Sequence, residues 1–309
     1  MKSRSASSTA DSVAPASRTV EIGRFAPSPT GPLHLGSLLT AVASWLNVRA
    51  SGGRWLVRIE DLDEPRCVAG ASDAILETLD RHGLYWDDLC YQHDRIALYR
   101  DALDRLRDDG RTFSCTCSRS QLQEAAVYPG ICRDRRDVPK GPYALRLRVP
   151  HETIELNDGI QGTYGQRLDR DVGDFIVFRR DGIIAYQLAV VVDDAAQHIT
   201  QVVRGADLLD NTPRQLLLFQ LLGASAPRYA HVPVLSDRTR QKLSKHTRAT
   251  EVDAFPPSAN LHLILALLGH EPPRMLQHAE PRDLLAWAST HWDLARIPRG
   301  ISHPDFVCI

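Results

Sequence analysis

The chain has 309 residues, 43% of them hydrophobic and 24% charged, with a formal net charge of −1. Such a length and balance support a buried core in one large or two modest domains and exclude a highly charged disordered chain. No global positive field marks a nucleic-acid binder and no apolar run approaches the ~20 residues of a membrane span, so any basic surface is local and no membrane partner is expected.

Residues 1–18 are rich in Ser and Ala and lack an apolar h-region, which predicts a disordered tail without an export signal. A cytoplasmic chain is expected on that ground. Disulfides are rare there, so Cys67, Cys90, Cys115, Cys117, Cys132 and Cys308 are expected as free thiols or metal ligands. Residues 19–27 read as a strand. Leu35 to Ala50 carries apolar residues at helical spacing and stops at Gly52-Gly53. Arg54 to Ile59 alternates as a strand, closing a β-α-β unit that favours a parallel sheet with helices on its faces. Ser72 to His82 and Asp94 to Asp109 read as helices. Cys115 to Tyr143, rich in Pro, Gly and Arg, reads as an irregular insertion. Short strands follow, with turns at Asn157-Asp158-Gly159 and Asp181-Gly182. Gln187 to Val203 is apolar and β-branched. Thr212 to Leu222 is predicted helical, capped from Asn211 or Thr212. His231 to Leu235 reads as a short strand, and two or three helices come after Pro256, with Leu261 to Leu268 and Arg282 to Ser289 among them. Arg133 to Arg148 and Arg238 to Arg248 are either local basic surfaces or solvated faces.

Chemistry concentrates at two points. The first strand breaks at Pro27, Pro29, Gly31 and Pro32, and a helix restarts just after His34. A strand-loop-helix of this kind turns backbone N–H groups and a positive helix end toward one pocket, which suits phosphate, and a histidine at that mouth can donate to phosphate oxygens. The chain holds only four lysines, and two of them, Lys242 and Lys245, fall in one short loop, Lys-Leu-Ser-Lys-His. Activation of a carboxylic acid by ATP needs alignment for in-line attack and stabilisation of charge spreading over phosphate oxygens. His34 and Lys245 suit that task from opposite sides, and Lys242 suits the outgoing pyrophosphate.

These two segments resemble the signatures of the class I aminoacyl-tRNA synthetases: the "HIGH" motif as His34-Leu-Gly36-Ser37 and the "KMSKS" motif as Lys242-Leu-Ser-Lys245-His246. Ser37 and His246 depart from the usual last residue of each. Arg24-Phe-Ala-Pro-Ser-Pro-Thr-Gly31, Arg58-Ile-Glu-Asp-Leu-Asp63, Arg204-Gly205 and Asn211-Thr-Pro-Arg214 are similar to the glutamyl branch of that family. The resemblance runs from about Val20 to His246. It implies an α/β, Rossmann-type catalytic domain that binds ATP with Mg²⁺ through His34, Gly36, Lys242 and Lys245. It also implies a glutamate site formed by Arg24, Phe25, Ala26, Pro27, Ser28, Glu60, Tyr186 and Arg204. The residue types agree with that role. Guanidinium forks at Arg24 and Arg204 suit carboxylates, Glu60 suits an ammonium, and Ser28 and Tyr186 supply hydroxyls.

Cys115, Cys117 and Cys132 lie in the insertion. Thiolates suit Zn²⁺, and a structural zinc site has four ligands, so one is missing from the cysteines alone. Cys90 or His93 are candidates by residue type, while the resemblance points to Tyr128 and to a structural zinc. The implied division is a tail at 1–18, a first catalytic half at 19–110, a zinc-binding insertion at 111–150, a second half at 151–236, and the lysine loop with a short helical C-terminal region at 237–309.

Only residues 247–309 follow the lysine motif, too few for a whole anticodon-reading region. The chain therefore resembles the short paralogues of the glutamyl branch. These activate L-glutamate with ATP and esterify it to queuosine in the anticodon of tRNA(Asp). An anticodon loop that is itself the acceptor enters the catalytic cleft, and single-stranded loops are the parts of RNA whose bases can be splayed out and read. A monomer is expected. Alternatives are a truncated enzyme charging the tRNA 3′ end, a catalytically dead tRNA-binding paralogue, and a small nucleotidyltransferase; the last would leave the glutamate residues and the cysteines unexplained.

Overall fold

The computed structural model describes residues 20–118, 120–122, 127–237 and 252–308, with the backbone alone at 236, 237 and 303–308. The predicted tail, Arg238 to Arg248 and both motif lysines lie outside the described residues.

The first part follows the predicted β-α-β order: β1 (Ile22–Phe25), α1 (Leu35–Arg49), β2 (Arg54–Ile59), α2 (Ala71–Arg81), β3 (Asp88–Tyr91) and α3 (Ile96–Asp108). β2 pairs in parallel with β1 on one side and β3 on the other. Trp55 to Ile59 are all buried, as expected of a central parallel strand covered on both faces. Gly52, at φ 73°, takes the left-handed turn that returns the chain from α1 to β2.

The second part comprises β4 (Thr112–Cys115), β5 (Ala144–Leu147), β6 (Thr153–Asp158), β7 (Gly162–Arg167), α4 (Leu168–Asp171), β8 (Ile176–Phe178), α5 (Tyr186–Ala196), β9 (Gln201–Gly205), α6 (Thr212–Leu222), β10 (Arg228–Val232) and β11 (Val234–Asp237). β4, β5 and β8 form an antiparallel sheet, and β6 and β7 a hairpin whose turn, residues 159–161, meets the expected Asn157-Asp158-Gly159 only at Gly159, since Asn157 and Asp158 still pair in the strand. β9 and β10 pair in parallel. They meet the first sheet where the Thr200 backbone N–H donates to Ile22 O at 2.9 Å. The strand order β3-β2-β1 followed by β9-β10 places a topological switch between β1 and β9. In open α/β sheets, ligands bind beyond the carboxyl ends of the strands at such a switch. α1 spans the join: Leu38, Leu39, Val42 and Leu46 pack in one core with Val57, Val203, Ala230 and Val232. α7 (Pro257–Leu267) and α8 (Pro281–His291) close that core from outside through Leu261, Ile264, Leu284 and Leu285.

Three elements differ from the sequence reading. Gln187 to Val203 divides into helix α5 and strand β9; residues 187–194 are buried all round, so no amphipathic period distinguishes the helix from a strand. α6 starts at Thr212 but neither Asn211 nor Thr212 caps it through a side chain, because the Thr212 hydroxyl is used elsewhere. A final strand, β12 (Ser302–Cys308), pairs in parallel with β11 and was not anticipated.

Trp55 is completely buried at the centre of this architecture, with its indole N–H donating to Ser44 Oγ at 3.0 Å. Trp55→Ala is expected to cost about 3–5 kcal/mol of folding free energy, measured as a shift in the urea unfolding midpoint.

Candidate functional site

At the switch between β1 and β9 lies a cleft of about 350 Å³. Its floor is the carboxyl end of β1 and the loop after it: Arg24, Phe25, Ala26, Pro27 and Ser28. One wall carries His34, Gly36 and Ser37 from the start of α1, and the other carries Glu60, Tyr186 and Arg204. All eight residues predicted for glutamate, and both predicted phosphate residues that fall among the described ones, therefore face one space. Lys242 and Lys245 lie outside the described residues; Val234 and Leu235, on the strand leading toward them, line the same cleft.

His34 is the N-cap of α1. Its Nδ1 accepts the Ser37 backbone N–H at 3.1 Å, and its Nε2 lies 2.9 Å from Ser37 Oγ. With Nδ1 acting as acceptor, a neutral ring carries its proton on Nε2, which then donates to the serine hydroxyl. The departure of Ser37 from the usual motif thus supplies His34 with a partner. Gly36 is fixed by space, since a Cβ there would lie 3.2 Å from His34 Nδ1. The first turn of α1 has no acidic residue, leaving its positive end available to an anion.

Below the floor the charges are paired. Arg24 directs Nε and Nη2 at Asp194 of α5, at 3.1 and 3.4 Å. Arg58 donates through Nη2 to the same carboxylate at 2.8 Å and through Nη1 to Gln197 at 2.6 Å. These two guanidiniums hold the Asp194 carboxyl below the ordinary range, although burial alone would raise it. Asp193 next to it gathers Gln92, Arg95 and Tyr99, at 2.8, 2.5 and 2.8 Å.

At the surface of this network, pairing stops. Glu60 Oε1 makes no hydrogen bond and has only Arg58 Nη2 at 3.6 Å. Burial pushes its carboxyl up to about 7, against the pull of Arg58 and Arg24. Arg204 gives Nη2 to Thr212 Oγ1 at 2.8 Å and Nε to His231 at 3.0 Å, and its Nη1 has no partner. The cleft thus presents one buried carboxylate oxygen and one buried guanidinium nitrogen, both unsatisfied and of opposite charge. That arrangement fits a ligand bearing an ammonium and a carboxylate. Sequence reasoning passed over Asp194, Arg58, Thr212 and His231 as functional residues. For Arg58 a signal existed in the quoted Arg58-Ile-Glu60 segment, where alternate strand positions share a face.

The sulfur atoms of Cys115, Cys117 and Cys132 lie within 4.8 Å of one another, the only such cluster among the described residues. Tyr128 Oη stands 3.6 Å from Cys115 Sγ and 3.9 Å from Cys117 Sγ, and Cys117 Sγ is 3.6 Å from Cys132 Sγ. A tetrahedral zinc with bonds of about 2.3 Å holds its ligands roughly 3.8 Å apart, so these four atoms fit one ion. Neither Cys90 nor His93 joins them: Cys90 Sγ accepts from Gln197 at 3.2 Å, and His93 binds Asp61 at 2.5 Å. Gly173, at φ 74°, makes room for Tyr128, whose backbone N a Cβ would approach to 2.7 Å. Four arginines of the basic stretch pack against this site. Arg146 donates to Cys115 Sγ at 3.3 Å with its guanidinium 3.9 Å over the Tyr128 ring, Arg133 pairs with Asp174, Arg135 bonds Thr116, and Arg148 stacks on Phe113. Of the cations in Arg133 to Arg148, Arg146 is buried, Arg133, Arg135 and Arg148 are half-buried against protein partners, and Arg136 and Lys140 are exposed.

Comparison with known proteins gives a consistent result. The family described as tRNA synthetases class I (E and Q), catalytic domain, matches residues 20–128 and 132–261. A protein of Thiobacillus denitrificans named Glutamyl-Q tRNA(Asp) synthetase is 53% identical over 291 residues, covering 92% of this chain and 96% of its own. One of the same name from Pseudomonas aeruginosa is 51% identical over 286 residues, covering 92% and 97%. Among solved structures, a glutamate tRNA ligase from Elizabethkingia meningosepticum in complex with its amino acid superposes with a TM-score of 0.76 at 25% identity. That match covers 91% of this chain and 66% of the ligase chain, so the chain spans just under two thirds of it.

If zinc occupies the cysteine cluster, loss of one thiolate is expected to release it. Cys117→Ser, purified beside the parent and assayed by elemental analysis, should lose most of its bound zinc and melt several degrees lower, because metal-binding free energy is folding free energy; equal zinc content in both would remove Cys117 from the ligand set.

Proposed function

The chain belongs to the class I tRNA synthetases (E and Q), which are ATP-dependent ligases, and from that premise we propose that it activates L-glutamate as glutamyl-adenylate and transfers the glutamyl group to queuosine in the anticodon loop of tRNA(Asp). The observation that carries the amino-acid half is the opposed pair of unsatisfied groups in one cleft, Glu60 Oε1 and Arg204 Nη1. Glu60 takes the ammonium, Arg204 and Arg24 take the carboxylates, and Ser28 and Tyr186 add hydroxyl contacts. A carboxylate oxygen of glutamate attacks the α-phosphorus of ATP in line, and pyrophosphate leaves. At the amino end of α1, the His34 Nε2–H exchanges its contact with Ser37 Oγ for a phosphate oxygen. Lys245 and Lys242 are assigned, from their motif, to the reacting phosphate and the departing pyrophosphate. Mg²⁺ enters with ATP, held mostly by phosphate and water. Zinc is assigned to Cys115, Cys117, Tyr128 and Cys132, where it would cross-link the insertion and take no part in the chemistry.

The acceptor assignment draws on different support. The chain covers nearly the whole of two relatives named for glutamyl-Q tRNA(Asp) synthesis. In the transfer step a hydroxyl of the queuosine cyclopentene diol attacks the adenylate carbonyl, and AMP leaves. Purified protein with labelled glutamate and ATP is expected to label queuosine-containing tRNA(Asp), with the label on the modified nucleoside after nuclease digestion. Label on the terminal adenosine of tRNA(Glu) would instead identify a 3′-end charging enzyme, and no glutamate-dependent exchange of pyrophosphate into ATP would identify a binding protein.

A pH dependence follows from Glu60. Its carboxyl, near 7 in the unliganded cleft, must ionise to receive the ammonium, while glutamate's own groups do not titrate there. The KM for glutamate should therefore rise about tenfold from pH 8 to pH 6. Glu60→Gln should raise KM throughout and flatten that slope. The sign for stability is the reverse: the folded chain holds the extra proton between the ordinary carboxyl value and about 7, so Glu60 lowers stability as pH rises through that window.

A further inference from the structure

We propose that Asp158 and His231 are positioning residues that orient Arg204 for the amino acid's carboxylate while leaving its charge uncancelled. This rests on the assignment of Arg204 as a carboxylate clamp. Neither Asp158 nor His231 is among the residues lining the cleft.

The relay is built by strand register. Arg204 on β9 and His231 on β10 are direct partners in the parallel pair, so their side chains share a face. The β6–β7 turn lies against β10, fixed by the Gly159 N–H donating to Tyr229 O at 2.9 Å, and so presents Asp158 to the same histidine. Asp158 Oδ2 lies 2.6 Å from His231 Nδ1, and Arg204 Nε donates to His231 Nε2 at 3.0 Å. An arginine Nε–H can only donate, so His231 Nε2 must offer its lone pair and Nδ1 must carry the proton, which goes to Asp158. Asp158 is itself held, with Oδ1 accepting the backbone N–H groups of Ile160, Gln161 and His231 at 3.0, 2.8 and 3.1 Å. His231 and Thr212 are completely buried, and Arg204 and Asp158 nearly so.

The choice of an imidazole is informative. Arg24 and Arg58 are each bonded directly to the Asp194 carboxylate, which they share. Arg204 forms no direct ion pair among the described residues and is instead gripped by neutral acceptors, His231 Nε2 and Thr212 Oγ1, with the Tyr229 ring 5.1 Å from its guanidinium carbon. Its Nε and Nη2 are consumed on the protein side and Nη1 is left over. A carboxylate in the place of His231 would orient the guanidinium equally well but would compete with the ligand's own carboxylate. The neutral histidine fixes direction and spares charge, and Asp158 fixes the histidine's tautomer.

Asp158→Asn tests this with little change of shape. The three backbone N–H groups keep the amide oxygen on their side, so the new NH₂ faces His231 Nδ1. That forces the proton to Nε2, where it opposes Arg204 Nε–H. In glutamate-dependent pyrophosphate–ATP exchange, this variant should raise the KM for glutamate ~10-fold or more while the KM for ATP stays within about twofold. His231→Gln, which returns an acceptor to the Nε2 position, should stay within about threefold of the parent in the KM for glutamate. Nitrogen NMR of the parent protein at pH 7, independent of any variant's folding, should show His231 as the neutral Nδ1–H tautomer. An Nε2–H or doubly protonated ring, equal rises in both KM values for Asp158→Asn, or His231→Gln no better than His231→Leu would each overturn the relay. Arg204→Ala run in parallel separates the layers: an unchanged KM for glutamate there overturns the clamp reading itself, whereas an impaired Arg204→Ala beside an unimpaired Asp158→Asn overturns the relay alone.

Discussion

Asp194 is the constraint on which the site depends. It lies inside the molecule on α5 and receives Arg24 from β1 and Arg58 from β2 on one carboxylate. Through Arg58 the same network reaches Glu60, Gln197 and Asp193, and through Asp193 it reaches Arg95 and Tyr99 near the start of α3. Two neighbouring strands and two helices are thereby held by one buried ionic cluster. Such clusters add little net stability, because desolvation offsets attraction, but removal of any one charge leaves another stranded. Their value lies in geometry. Most of the charges below the floor are paired, while Glu60 and Arg204, which line the cleft, each keep one atom without a hydrogen bond.

Legibility in the sequence followed the range of the interactions. β1, the proline-broken loop and α1 could be read because their signals are local: apolar periodicity, turn residues and a histidine at a helix start. The glutamate residues were assigned through a resemblance, and the switch-point topology explains why residues from β1, β2, α5 and β9 meet. What escaped reading was long-range. Nothing local in His231-Val-Pro shows that its imidazole faces Arg204, since that depends on how two parallel strands are registered. Thr212 has the residue type of a helix cap, and only the position of Arg204 diverts its hydroxyl. α5 escaped for another reason, because a helix buried on every side carries no periodic signal.

The insertion shows the limit of composition as a guide. Its arginines gave the only strong local charge signal before the lysine loop, and charge density normally marks a surface. Here part of that charge is spent on the module itself, while Arg136 and Lys140 stay at the surface. Arg146 alone touches a sulfur, a tyrosine ring and the Asp174 carbonyl, and Arg133 ties the loop to Asp174. A small module with few apolar residues has little hydrophobic core, and cation–ring stacking and charge-assisted hydrogen bonds take over part of that role.

The double use of one imidazole at the head of α1 narrows what chemistry evolution can place there. His34 closes the helix with one nitrogen and meets the Ser37 hydroxyl with the other. A lysine or arginine has no lone pair with which to close the helix, and a serine or aspartate would close it but reach less far and, for aspartate, repel phosphate. A rigid five-membered ring carries both an acceptor and a donor, as asparagine does, but on a longer reach from the backbone. The residue is therefore held in place as firmly by the architecture of the helix as by the reaction in front of it.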